Sequence, residues 1–145
     1  RVSARVDEAV DAQIAARAAA RAELDTLLAA LAADRAEFAS DLDSGADGEA
    51  YAGRTAAAIA RARLLAERAG VSLRLHIIGH TDPSGTAEIN RRLRVQRAAW
   101  LRDRLREAGV AAPLLRESLM DEGAEQGEST FRGVSVELGV EAPQP

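Results

Sequence analysis

The sequence predicts an α+β fold with helices packed on one face of a sheet, and three observations predict it. Val71, Leu73, Leu75 and Ile77 alternate with Ser72, Arg74 and His76, the period of a strand with one apolar face. Val134, Val136, Leu138 and Val140 alternate in the same way with Ser135, Glu137 and Gly139. Ala50 to Ala69, and the stretch from about Ser84 to Ala108, instead read as helices.

The elements follow in chain order. Residues 3–33 are Ala-rich and helical, with Val6, Val10, Ile14, Leu24, Leu27, Leu28 and Leu31 as the larger apolar side chains. Arg17 and Arg21 fall in the seam of a strict heptad, so a sustained coiled coil is not supported. This segment reads as a connecting helix that packs on the domain or on a neighbour, and oligomerisation through it stays open. In the Ala50–Ala69 helix, Tyr51, Ile59 and Leu65 are the larger apolar residues. Gly79 is expected to end the first alternating strand, leaving His80 in a loop. Asp82-Pro83-Ser84-Gly85 has type I turn chemistry, with Asp first, Pro second and Gly fourth. Ser84 or Thr86 caps the next helix, Glu88 suits its first turn, and Gly109 stops it. Leu114 to Met120 is expected as a short strand between Pro113 and an acidic, Gly-containing loop.

The turn and the helix after it bring together groups with a shared chemistry. Asn90, Arg94 and Arg97 lie at i, i+4 and i+7, one stripe of the helix, beside Leu93, Trp100, Leu101 and Leu105. Arg97 is therefore expected at the edge of the buried face, where a guanidinium can grip a carboxylate with two prongs. Asp82 accepts hydrogen bonds when ionised and suits an ammonium. Together they fit a zwitterion. The plainer alternative is that Asp82 serves its own turn and Arg97 is one solvated charge among many.

Gly79-His80-Thr81-Asp82, followed by Gly85, Asn90, Leu93, Arg97 and Ala98, resembles the OmpA-like C-terminal domain family shared by OmpA, Pal and MotB-type proteins. The family's spacings are all kept, with Arg94 where a Ser is usual. Glu37-Phe38-Ala39-Ser40 is similar to the family's first strand and residues 132–138 to its last. The resemblance thus implies a β-α-β-α-β-β sandwich with a mixed sheet, over residues 34–140, between a helical extension (1–33) and a disordered tail (141–145). It also implies non-catalytic binding of peptidoglycan through the diaminopimelate of the stem peptide. Asp82 would hold the ligand's ammonium and Arg97 a carboxylate; Asn90 would add a hydrogen bond, and the backbone around Thr81 would line the pocket. Of the Asn-Arg-Arg that usually opens the family's last strand only Arg132 is retained, in Phe131-Arg132-Gly133, and it is counted with the binding residues. The segment 121–130 is strongly acidic, and Asp41, Asp43 and Asp47 stand where relatives more often place Ser or Asn.

Composition bounds the function classes. The net charge of −4 argues against nucleic acid as partner. Residues 71–110 carry 8 basic and 4 acidic groups, against 5 and 11 in residues 1–49, so the motif segment is locally basic. Every basic side chain except two His is Arg, and there is no Cys, hence no disulfide or thiol chemistry. Two His offer no metal-ligand cluster, and no cofactor is expected. His80 beside Asp82 makes too thin a case for a hydrolase. The chain starts at Arg1 and has no stretch apolar enough to span a bilayer. It is therefore expected to be a fragment of a periplasmic, cell-envelope protein whose membrane anchor lies elsewhere. The alternative to a cell-wall anchor is an OmpA-like fold used for protein interaction in an envelope complex, its ligand site weakened by the acidic loops.

Overall fold

Two long antiparallel strands form the spine of the molecule. In the computed structural model, which describes residues 2–120 and 131–141, the order is α1 (Val2–Ala33), β1 (Ala36–Glu37), α2 (Gly45–Ala69), β2 (Ser72–His80), α3 (Ala87–Glu107), α4 (Ala112–Arg116), β3 (Leu119–Met120) and β4 (Gly133–Glu141). The acidic stretch 121–130 and residues 142–145, where a loop and a tail are expected, lie outside the described residues. The fold is α+β, with a mixed four-stranded sheet in the order β1-β4-β2-β3. β4 pairs antiparallel with both β1 and β2, whereas β3 runs parallel to β2.

The period-two pattern decides which face is buried. Register places Leu75 opposite Leu138, Ile77 opposite Val136 and Gly79 opposite Val134, and all six residues are buried. The intervening His76, Ile78, His80 and Ser135 are only half-buried. The helices cover the first set. Tyr51, Ile59 and Leu65 of α2 and Leu101 and Leu105 of α3 are almost fully enclosed, each worth roughly 2 kcal/mol of burial. Leu24 and Leu31 seat the C-terminal half of α1, which is also tied to α2 by Arg61 to Glu23. Beyond its end, Asp34 takes a two-pronged contact from Arg54 at 2.7 and 2.9 Å, which holds the Asp34 carboxyl below its usual pKa.

Several boundaries differ from expectation. The first strand is Ala36–Glu37 rather than Glu37–Ser40, because the chain folds back at once: Asp43 N–H donates to the Ser40 carbonyl and Ala39 N–H to that of Asp43. α2 begins at Gly45, five residues before Ala50. The expected strand over Leu114–Met120 is mostly the short helix α4, with only Leu119–Met120 in the sheet. Pro113 opens that helix, since a missing N–H costs nothing in a first turn. Leu114 and Leu115 are both buried, which a strand with one apolar face would not do. Finally, β4 continues through Glu141, one residue into the expected tail, paired with Ser72.

Candidate functional site

The site forms where β2 hands over to α3. β2 runs through His80, paired with Gly133, so His80 belongs to the strand and not to a loop. Gly79 does not end the strand; it admits the helix. A Cβ there would lie 1.9 Å from the Arg94 carbonyl oxygen, so α3 can cross only above a glycine. Gly133 makes a similar allowance for β1, where a Cβ would fall 1.8 Å from the Ala36 carbonyl oxygen.

Between strand and helix, the turn is closed by a side chain. Asp82 Oδ1 accepts from the Ser84 N–H at 3.1 Å and from the Ser84 hydroxyl. Of the two expected caps Thr86 takes the position: its backbone is extended, and its hydroxyl accepts from Ile89 N–H at 3.2 Å. Ser84 thus holds the aspartate instead. Its hydroxyl, and then its N–H, keep the Asp82 carboxyl below the usual range, with Arg132 and Arg97 adding attraction.

Arg97 is more deeply placed than the edge of a buried face. It is 1% exposed. Its Nε donates to the Asp41 carbonyl at 2.8 Å and its Nη1 to the His80 carbonyl at 2.6 Å. The guanidinium also lies 5.5 Å from the Phe38 ring centre. One side chain therefore ties α3 to the end of β2 and to the loop after β1. Asp41 has φ 33°, in the left-handed region that costs a non-glycine about 1 kcal/mol. A charge-assisted hydrogen bond of roughly 1.5–3 kcal/mol offsets that cost. Burial, and next the neighbouring Arg132, push the Arg97 pKa down, while Asp41 and Asp82 act against both.

The other expected residues divide between bracing and exposure. Thr81 is buried, and its Oγ1 accepts from Arg94 Nη1 at 3.2 Å. Asn90 Nδ2 reaches the Asp82 carbonyl at 3.5 Å. Both side chains stabilise the junction. Arg132 and Asp82 face outward, their side chains 49% and 31% exposed, with Arg132 Nε 3.5 Å from Asp82 Oδ2. The structure therefore joins Thr81, Asp82, Asn90, Arg97 and Arg132 in one cluster, of which Asp82 and Arg132 form the solvent-facing part.

Two contributors escaped the sequence reading. Arg94 was visible in the helical stripe but had no role; it is buried and supports Thr81. The Asp41 carbonyl had no signal at all, because every residue carries a carbonyl. Beside the cluster, an open groove of about 940 Å³ is lined by Pro83, Gly85, Asn90, Arg91 and Arg94. His80 Nε2 lies 2.7 Å from Ser135 Oγ, and its ring stacks on Phe131 at 4.4 Å. Among the described residues no three His, Asp or Glu side chains are placed to hold a metal ion, and no helix is long and apolar enough to cross a membrane.

An outward carboxylate beside an outward guanidinium, above a second buried guanidinium, offers one site for a cation and one for an anion a few ångströms apart. No protein-family profile matches the chain, and no curated protein matches it.

Proposed function

We propose that the chain is an OmpA-like domain of a bacterial envelope that binds peptidoglycan without cleaving it, through the zwitterionic diaminopimelate of the stem peptide. The observation that carries this reading is the exposed Asp82–Arg132 pair at the end of β2. An exposed ion pair is worth only about 0–1 kcal/mol, so a ligand can part it cheaply. The ligand's ammonium then takes Asp82 Oδ2 and its carboxylate takes Arg132, exchanging one weak pair for two. Asp82 Oδ1 stays on Ser84 throughout, so the carboxylate is held in place before the ligand arrives. Arg97 contributes positive potential from below and fixes the frame; its two carbonyl contacts leave the direct carboxylate grip to Arg132.

A second reading has its own support. With Asp82 already satisfied by Ser84 and Arg132, the same fold would serve as a protein-interaction module with little or no affinity for the cell wall.

Co-sedimentation with diaminopimelate-type sacculi separates the two readings. The wild type should pellet, while Asp82→Ala and Arg132→Ala should stay in the supernatant with unchanged circular dichroism. A folded wild type that remains wholly in the supernatant would rule out the cell-wall reading and leave the interaction module.

A further inference from the structure

Among the described residues, nothing buries the N-terminal half of α1. Every residue from Arg5 to Ala19 is exposed, and burial begins only at Ala20. α2 is antiparallel to α1 and stops short of it: a Cβ on Gly70, the C-cap of α2, would sit 4.0 Å from Arg17 Nη1. Residues before Arg17 therefore run on roughly 22 Å past the end of α2. A solitary helix of that length is marginal in water. It also carries an apolar stripe, with Val6, Val10 and Ile14 at 53%, 47% and 61% exposure. Val6 lies about five turns before Leu24 and so on the same side of the helix. The side that seats α1 on the domain is thus still apolar at Val6, which is exposed.

We infer that this stripe is covered by α1 of a second copy of the chain, in an antiparallel two-fold pair crossing at Ile14. Charge selects both the occupant and the direction. Asp7 and Arg21 are equidistant from Ile14 in sequence, and so are Asp11 and Arg17. An antiparallel crossing there sets both acids of one copy against both arginines of the other, twice over by symmetry. Ile14 meets Ile14, and Val10 meets the small Ala18, which permits close approach. A parallel pair would instead stack Asp7 on Asp7 and Arg17 on Arg17. The same two arginines that disrupt a heptad seam are thereby the residues that fix register. Arg21 now pairs with Asp25 on its own helix at 3.0 Å, an exposed contact that a partner's Asp7 can share at small cost.

Sedimentation equilibrium on the 145-residue chain tests this, with circular dichroism to show that each variant is folded. The wild type is expected to reach twice its 15.3 kDa mass, and Ile14→Glu to return it to monomer. The double variants Asp7→Arg/Asp11→Arg and Arg17→Asp/Arg21→Asp should each be monomeric alone and dimeric when mixed in equal amounts. A wild type monomeric up to its solubility limit overturns the pairing, as does a dimer indifferent to Ile14→Glu. A mixture that fails to restore dimers overturns the antiparallel register.

Discussion

Arg97 and Arg132 share one charged cluster and do opposite work. Arg97 is enclosed, commits its Nε and Nη1 to two backbone carbonyls and draws three segments together. The Arg132 side chain is half-exposed and touches Asp82 only loosely. A guanidinium buried against carbonyls is a structural fastener, whereas the same group in water with a soft partner is available for exchange. Sequence spacing singled out Arg97 because helix geometry places it reliably. Availability was decided by which arginine the fold used up.

Five experiments would break or sharpen that contrast. The largest effect is expected from Gly79→Ala, which forces β2 and α3 apart beneath Arg97. It should cost about 3 kcal/mol or more in urea unfolding, well above a surface substitution. Arg97→Met keeps much of the side chain's bulk but abandons the Asp41 and His80 carbonyls. A loss of roughly 2–3 kcal/mol is expected, and a loss below about 0.5 kcal/mol would show that Arg97 is not a fastener. Thr86→Ala removes one cap from α3 and should lower stability by about 1 kcal/mol in the same assay.

Arg132→Ala lies at the other extreme: stability should stay within about 0.5 kcal/mol while sacculus binding is lost. Binding retained by that variant and lost by a folded Arg97→Met would reverse the roles of the two arginines. Acid gives a final, small test. The Asp82 pKa is lowered in the folded chain, so its contribution is complete above the ordinary aspartate range and disappears as pH falls through the folded value. The melting-temperature gap between wild type and Asp82→Asn should therefore narrow as pH drops below about 4. A gap that widens in acid would contradict the Ser84 and Arg132 contacts.

The β2–α3 junction and the stretch after Gly109 differ in how far local sequence specifies them. At the junction most signals agree: alternation for the strand, Thr86 and Glu88 for the helix start, Arg97 three residues before Trp100; only Gly79 misleads, since it admits α3 and does not end β2. Around Leu114 the signals were short and ambiguous, and a run of two leucines behind a proline fits a helical turn as well as a strand. There the position of the segment beside β2 decided, by burying Leu114 and Leu115 together.

The sequence by itself determined the two long strands, because period two allows a strand only one apolar face. It also determined α2 and α3 through their length and apolar content, and it brought Asp82 and Arg97 to the same junction by local spacing alone. Tertiary structure decided what those residues do there. The Asp41 carbonyl is distant in sequence from Arg97 and chemically anonymous, yet it helps turn that arginine from a ligand contact into a fastener. Strand pairing likewise carried Arg132, 50 residues beyond Asp82, to its carboxylate. Long-range hydrogen bonds and burial are set by which segments pack together, and no window of local sequence encodes that.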